Sequence, residues 1–309
     1  DFTVHNSIIS PKPNVMITRL RLEVSVPTYE KNMLQHIYSL HHLKKLSLAM
    51  TSETTKGRFQ ELENYIQFVR LPESIESLDF IFSGFSSNPL KKFEESYTLN
   101  NVIKNVQEIE NRKAWKIFLS QEPFNKLKRF YLESRYLEIE FCYYHFLFLA
   151  MLKNLTNVQQ IFSHISTRTK KLTNPTQFVI NHIFYFMPNT IEDLNLIIPN
   201  ICFGFVTKPL SFPNIKSFEI IDDDPSWNLK SKEGFNQILN AISTSEVTTL
   251  IFTGIPFPAK DLFFILDSNN FKKLTKLILT PTTEMTADLI KEITRLILQK
   301  TFLQALEIS

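Results

Sequence analysis

A short alternation of hydrophobic and polar positions recurs along the chain. Each copy has an apolar residue, two variable residues, a second apolar residue, one variable residue and a third apolar residue, as in LKKLSL at 43–48 and IESLDF at 75–80. The last two apolar residues of each copy lie two positions apart, so both side chains point to the same side of an extended strand. Each copy therefore predicts a short β-strand with one buried side.

The middle apolar residue of each copy, which we call the anchor, recurs at a nearly constant distance. The anchors are Leu20, Leu46, Leu78, Phe130, Ile161, Leu194, Phe218, Leu250, Leu277 and Leu306. Eight of the nine intervals between successive anchors span 24 to 33 residues, and the interval between Leu78 and Phe130 spans 52. A single triplet arises easily by chance, but ten at this spacing indicate an array of about ten repeats.

The segments between the predicted strands carry apolar residues at helical spacing. These segments are 29–40, 58–71, 141–155, 176–187, 234–242, 260–266 and 286–303. The two most apolar ones predict buried helices in which His145 and His182 are core residues. Because a connection from a strand through a helix to a parallel strand is right-handed, stacking these units predicts a curved α/β solenoid with a parallel concave sheet and convex helices.

The long interval before Phe130 contains a further helical pattern. Residues 88–122 include Val102, Val106 and Ile109 at helical spacing, but no clean triplet. We interpret this segment as a helical insertion that projects from a single solenoid domain covering residues 1–309. The alternative is that one degenerate repeat is hidden in it.

The repeated L-x-x-L-x-L triplet resembles the leucine-rich repeat family, in the irregular, longer-repeat form found in F-box-type and ribonuclease-inhibitor-like arrays. The resemblance covers about residues 15–309. The Asn or Cys that follows the strand in the standard form is mostly replaced, by Thr51, Ser83, Ser134, Thr253 and Thr280. The resemblance implies a non-catalytic scaffold that binds a protein partner on its concave face. Such a scaffold serves as the substrate-receptor part of a ubiquitin ligase or as a microbial effector.

Charge and cysteine content narrow the choice of partner and compartment. The chain has 34 basic and 31 acidic residues, a net charge of +3, which is too balanced for a general nucleic-acid or membrane-surface binder. The longest apolar run, 141–152, is too short for a membrane span of about 20 residues. Cys142 and Cys202 cannot build a disulfide framework, so we expect an intracellular protein of the cytoplasm or nucleus.

Catalytic and metal-binding patterns are weak. Only 5 of 309 residues are glycine, and the sequence contains no Gly-rich phosphate loop, no nucleophile elbow and no His-Glu-x-x-His motif. His36, His41 and His42 cluster near a helix end, without a carboxylate or thiol at ligand spacing. We therefore expect no catalytic residue, no metal and no cofactor. The alternative is an enzyme, or an enzyme subunit, that uses the array as a platform.

The two residues that flank each anchor in the triplet are expected on the concave face. They are basic at the start of the array and acidic after its middle, with two aromatic residues between. The predicted partner-binding residues are Arg19, Arg21, Lys45, Arg129, Tyr131, Phe162, Asp193, Asn195, Glu219 and Asp222. The hypothesis is that charge orients a complementary protein segment and that Tyr131 and Phe162 supply most of the affinity. The alternative is that these two aromatic side chains pack on each other or on the insertion.

Overall fold

The chain forms two compact units. In this computed structural model, residues 2–5, 16–26, 31–52, 57–83, 85–86, 98–137, 141–167, 178–198, 201–202, 210–222, 232–257, 259–267, 269–281, 286–300 and 302–308 are described. The first unit comprises Asp1–Thr176 with Phe186–Pro188, and the second comprises Gln177–Tyr185 with Asn189–Ser309. The prediction that residues 1–309 make one solenoid domain stays a prediction.

The first unit is built on parallel strands. Its strands are β1 (Phe2–His5), β2 (Arg19–Val26), β3 (Lys45–Ser52), β4 (Gly57–Arg58), β5 (Ser77–Ser83), β6 (Phe85–Ser86), β7 (Arg129–Leu137) and β8 (Gln160–Thr167). Strands β1, β2, β3, β5, β7 and β8 pair in that order, each parallel to its neighbour. Strands β4 and β6 form a separate parallel pair. Strand β1 precedes the first triplet and was not predicted.

Helices connect the strands of the first unit. They are a 3₁₀ helix (Lys31–Ser39), α1 (Phe59–Ile66), α2 (Leu99–Asn111), α3 (Lys113–Leu119), α4 (Glu122–Asn125) and α5 (Phe141–Asn154). The helix predicted for 29–40 is of the tighter 3₁₀ type. Just after its last residue, Leu40 N donates to Ile37 O, three residues back, at 3.1 Å, which is the backbone bond of a 3₁₀ helix.

The segment predicted as an insertion contributes packed helices. Residues 88–97 lie outside the described residues, and α2 and α3 follow them. Helix α2 packs on α3 and α5, and α3 packs on α1. Trp115 and Phe118 of α3 are fully buried, and the Phe118 ring meets Phe80 of β5 edge-on at 5.4 Å. The expectation that the helices project from the array is therefore wrong for α2 and α3. Strands β5 and β7 pair directly, and the choice between insertion and degenerate repeat stays a prediction.

The second unit repeats the same scheme. Its strands are β9 (Phe178–Val179), β10 (Asp193–Ile197), β11 (Ile201–Cys202), β12 (Ser217–Ile221), β13 (Thr249–Phe257), β14 (Lys276–Pro281) and β15 (Ala305–Ile308). Its helices are α6 (Ile180–Phe186), α7 (Lys232–Ser243), α8 (Ala259–Leu266) and α9 (Ala287–Ile297). Strands β10, β12, β13, β14 and β15 pair in parallel, in that order, and β9 pairs with β11.

Every predicted triplet forms a strand, and the anchors form the core. All anchors except Leu306 are at most 2% exposed, and Leu306, in the last strand, is partly exposed. The strand register places anchors side by side, as in the pairs Leu46–Leu78 and Leu250–Leu277. The predicted α/β fold of parallel strands with helices is confirmed. Within each unit, the arrangement is consistent with a solenoid.

Aromatic rings fill much of the core, as the 28 phenylalanines of the sequence suggest. In the first unit, Phe124 lies edge-on to Phe118 at 5.2 Å and to Phe130 at 6.2 Å. In the second unit, Phe218 lies 5.6 Å from Phe252, measured between ring centroids. Edge-to-face and tilted contacts of this kind add to the free energy gained by burying the rings.

The two histidines predicted in the core are buried. His145 of α5 and His182 of α6 are each 3% exposed. Burial lowers the pKa of His182 from its ordinary value of 6.5 to about 4, because the imidazolium ion loses its hydration.

We expect single anchor truncations to be strongly destabilising. Leu194→Ala and Leu277→Ala should each lower the free energy of unfolding by about 2–5 kcal/mol, because each leaves a cavity in a close-packed row. Urea denaturation measures this change. Leu298→Ala is the control, because that side chain is 80% exposed and its loss should have little effect. Equal stability of the anchor variants and this control would contradict the assigned register.

We expect stability to fall at mildly acidic pH because of His182. Between pH 6.5 and about 4 the unfolded chain binds a proton at this residue that the folded chain does not. The stabilisation is therefore complete above pH 6.5 and decreases by up to about 3 kcal/mol as the pH falls towards 4. Urea denaturation at several pH values measures this decrease. His182→Gln should flatten the pH dependence in this window, whereas His42→Gln, at an exposed position, should leave it unchanged. An identical pH profile for His182→Gln would contradict the prediction.

Candidate functional site

In the first unit, the side chains that alternate with the anchor side of each strand form rows across the sheet. The first row is Arg19, Lys45, Ser77, Arg129 and Gln160, the second is Arg21, Ser47, Asp79, Tyr131 and Phe162, and the third is Glu23, Ala49, Ile81, Glu133 and His164. We call this side of the sheet the polar face of the first unit; Ser47, Ala49, Ser77, Ile81 and Glu133 on it are buried. Residues of one row on adjacent strands are separated by about 5 Å, the spacing of paired strands.

Positive charge is concentrated in the first two rows. Lys45 Nζ lies 2.8 Å from an Asp79 carboxylate oxygen, and Arg21 Nε lies 3.1 Å from Glu23 Oε1. Arg19 and Arg129 are exposed, and neither forms an ion pair with any residue that the structure describes. Two of these four basic side chains are thus neutralised locally, and the first row of the polar face, which holds Arg19 and Arg129, keeps an excess of positive charge.

The two aromatic residues of the second row stack on each other. The ring centroids of Tyr131 and Phe162 are 4.8 Å apart, with an angle of 16° between the ring planes. Both side chains remain partly exposed. The alternative that they pack on each other is confirmed, and their contact with a partner stays a prediction.

Glu133 holds the tyrosine of this pair in place. The Tyr131 hydroxyl donates to Glu133 Oε2 at 2.7 Å, and Glu133 is only 6% exposed. His164 Nδ1 lies 3.9 Å from Glu133 Oε1. A hydrogen bond from a hydroxyl to a buried carboxylate is charge-assisted, so Tyr131 is positioned by its ring stack and by its hydroxyl. Neither Glu133 nor His164 was predicted, although each continues the alternation of its strand by one more step.

Three predicted residues lie close together in the second unit. Asp193 and Asn195 of β10 pair in register with Ser217 and Glu219 of β12. Asn195 Nδ2 donates to Glu219 Oε2. Burial raises the pKa of Glu219 above its ordinary value, while the nearby Lys276 ammonium opposes this shift. This carboxylate is half-buried, and it has a higher proton affinity than one in water.

The apolar neighbours of Glu219 explain part of this burial. Ile251 of β13 and Ile278 of β14 continue the row that contains Glu219. Ile251 is 7% exposed, and Ile278 is partly exposed. The row ends in the exposed Glu307, so it combines two carboxylates with an apolar surface, which suits a side chain that has an apolar stem and a cationic end.

Asp222 is buried rather than presented beside Glu219. It is 3% exposed, and its backbone N–H donates to Thr253 O at 2.9 Å. Gly254 follows with φ of +69°, and a Cβ atom at that position would lie 2.1 Å from Asp222 O. Only glycine allows the chain to pass so close. The expected exposure of Asp222 on the binding face is therefore wrong. Asp223 and Asp224, which follow it in the sequence, lie outside the described residues.

Metal and membrane chemistry receive no support from the described part of the chain. There, no group of three or more His, Cys, Asp or Glu side chains is placed to hold a metal ion. His36, His41 and His42 are all exposed. Among the helices of the described ranges, none combines the length and the hydropathy needed to cross a membrane.

Comparison with known protein families and with curated proteins finds no match for this chain. The likeness to leucine-rich repeats rests on the recurring triplet and on the parallel strands with helices. The candidate site consists of basic side chains beside a stacked aromatic pair in the first unit, and of carboxylates beside apolar residues in the second.

We expect the hydroxyl of Tyr131 to be stabilising. Tyr131→Phe keeps the ring stack but removes the hydrogen bond to Glu133, so the free energy of unfolding should fall by about 1–3 kcal/mol. Chemical denaturation measures this difference. Tyr38→Phe is the matched control, because the Tyr38 side chain is 56% exposed and loses only contact with water. If both variants are as stable as the wild-type protein, the Tyr131–Glu133 bond has no stabilising role.

Proposed function

We propose that this chain is a non-catalytic scaffold of the leucine-rich repeat type, and that the polar face of its first unit binds an acidic segment of a protein partner. The observation that supports the proposal most strongly is the pair Arg19 and Arg129, exposed and without ion pairs among the described residues, on the same face as the Tyr131–Phe162 stack. Arg and aromatic side chains are the residue types that contribute most to interface affinity. In a solenoid, this face is the concave one.

The two groups of residues have different tasks in the proposal. The basic side chains attract and orient an acidic segment before contact, so they act mainly on the association rate. The aromatic pair forms the contact that holds the segment, so it acts mainly on the dissociation rate. Tyr131 is already positioned by Phe162 and by Glu133. Because it is ordered before binding, little side-chain entropy is lost on association.

The second unit offers a surface of opposite preference. Asp193 and Glu219 carry carboxylates, and Glu219 lies in a row with Ile251 and Ile278. We assign this surface to a basic segment of the partner, whose cationic ends pair with the carboxylates. A cation bound there would lower the pKa of Glu219 and so counteract the increase that burial causes.

The cellular setting stays a prediction. The resemblance to irregular leucine-rich repeats suggests the substrate-receptor part of a ubiquitin ligase or a microbial effector. Both settings use the same physical activity, the selective binding of another protein, and both are consistent with a reducing compartment.

The test begins with partners captured on the immobilised wild-type protein and identified by mass spectrometry. A captured protein counts only if its binding depends on the polar face. The double variant Arg19→Glu with Arg129→Glu should slow association of the purified partner by about tenfold or more at low salt. The matched control is Lys104→Glu with Lys116→Glu, which makes the same charge change at exposed positions of α2 and α3.

Two further variants separate affinity from steering. Tyr131→Ala should speed dissociation by about 30-fold, the equivalent of about 2 kcal/mol. Asp193→Lys with Glu219→Lys should slow association and weaken its salt dependence. Surface plasmon resonance resolves the two rate constants. A partner that binds all three variants like the wild-type protein would move the interface away from these faces.

A further inference from the structure

The first unit contains a cavity that the proposed function does not use. Its volume is about 690 Å³, within the range of pockets that bind small ligands or a few side chains. It lies where the 3₁₀ helix ends, beside the connection 71–74 and the short helix α4. Its lining comes from three successive connections between strands.

The walls of the cavity are tied together by hydrogen bonds. The Gln121 side chain accepts from Leu71 N at 2.8 Å and donates to Val69 O at 3.0 Å. Ser74 Oγ donates to Leu43 O at 2.8 Å. These bonds connect the segment before β3, the segment before β5 and the start of α4. The cavity is therefore largely preformed, and a ligand would lose little free energy in ordering it.

The lining includes apolar side chains and one exposed aromatic ring. Leu71 and Pro72 are buried beneath the cavity, and Pro123 is partly exposed beside them. Tyr38 also lines the cavity and is 56% exposed. A tyrosine ring beside apolar side chains offers a face on which a planar group can stack.

The rim of the cavity is negative. Glu122 Oε1 lies 2.5 Å from Lys126 Nζ, so these two charges neutralise each other. Glu73 also lines the cavity and is exposed. It forms no direct ion pair within the described ranges of the chain, although the Lys126 ammonium attracts it at longer range. The carboxylate charge of Glu73 is thus not neutralised by the Glu122–Lys126 pair. The His41 imidazole lines the same cavity.

We propose that this cavity binds an arginine side chain of a protein partner. A guanidinium group is planar and cationic, so it can stack on the Tyr38 ring and donate two hydrogen bonds to the Glu73 carboxylate. The aliphatic stem of the arginine packs against the partly exposed Pro123. A lysine ammonium carries the same charge but cannot stack or donate as a planar fork. The proposal does not rest on the polar face, because it uses none of the residues of that surface.

The test uses four acetylated and amidated pentapeptides of the form Gly-Gly-X-Gly-Gly, in which X is arginine, citrulline, lysine or glutamate. NMR titration of the whole chain at pH 8 follows the Tyr38 ring signals. The arginine peptide should give intermolecular contacts between its δ protons and the Tyr38 ring. Citrulline has the shape of arginine without its charge, so its peptide should bind about tenfold more weakly. The lysine peptide should bind about fivefold more weakly, and the glutamate peptide should not bind.

Variants of the lining test the roles of the two recognising groups. Glu73→Gln should weaken the arginine peptide about tenfold and leave the citrulline peptide unchanged. Tyr38→Leu should weaken the arginine peptide about fivefold. The controls are Glu233→Gln, at an exposed carboxylate of α7, and Phe302→Leu, at a side chain that is 60% exposed. Neither control should alter binding.

Three results would each overturn the proposal: no contact with Tyr38 at about 10 mM arginine peptide, equal affinity for the arginine and citrulline peptides, or an unchanged affinity in Glu73→Gln. The variants that test the polar face, Arg19→Glu with Arg129→Glu and Tyr131→Ala, serve here as a separate check. They should bind the arginine peptide like the wild-type protein. Failure of one proposal is therefore distinguishable from failure of the other.

Discussion

The burial of anchors on one side of each strand determines which side chains reach the other side. In the first unit, Leu20, Leu46 and Leu78 stand side by side in parallel register, and each is at most 2% exposed. Because side chains alternate along a strand, a slip of one residue would move an anchor into water and its polar neighbour into the core. The free energy of anchor burial thus also fixes the positions of Lys45 and Tyr131 on the polar face.

The first unit separates positive and negative charge between two surfaces. The first row of the polar face carries basic side chains, of which Arg19 and Arg129 are exposed, whereas the cavity near Tyr38 has a surplus carboxylate at Glu73. Two ion pairs of opposite charge join neighbouring repeats of this unit. Lys44 Nζ lies 2.8 Å from Glu76 Oε1, and Lys128 Nζ lies 3.6 Å from Glu76 Oε2. Exposed pairs of this kind add little stability. Charge on these surfaces is therefore better suited to orienting a partner than to holding the fold together.

The strands and their register were predictable because they depend on a local pattern repeated ten times. The extent of the strands was not. The triplet predicts only the first residues of each strand, whereas β7 runs from Arg129 to Leu137, which brings Glu133 under the Tyr131 hydroxyl. The burial of Asp222 was also hidden, because it arises from a close approach to Gly254, a residue of the next strand. The cavity near Tyr38 could not be predicted from the sequence for the same reason, because its lining comes from three connections that are far apart in the sequence.

We propose that the polar face of the first unit is the surface that meets a protein partner. Site-specific photocrosslinking tests this proposal most directly. A benzophenone side chain placed at position 162 lies beside Tyr131 on the polar face, and the same group at position 116 lies on an exposed part of α3. We predict that the captured partner crosslinks through an acidic segment at position 162 and not at position 116. Crosslinking at 116 without crosslinking at 162 would contradict the claim.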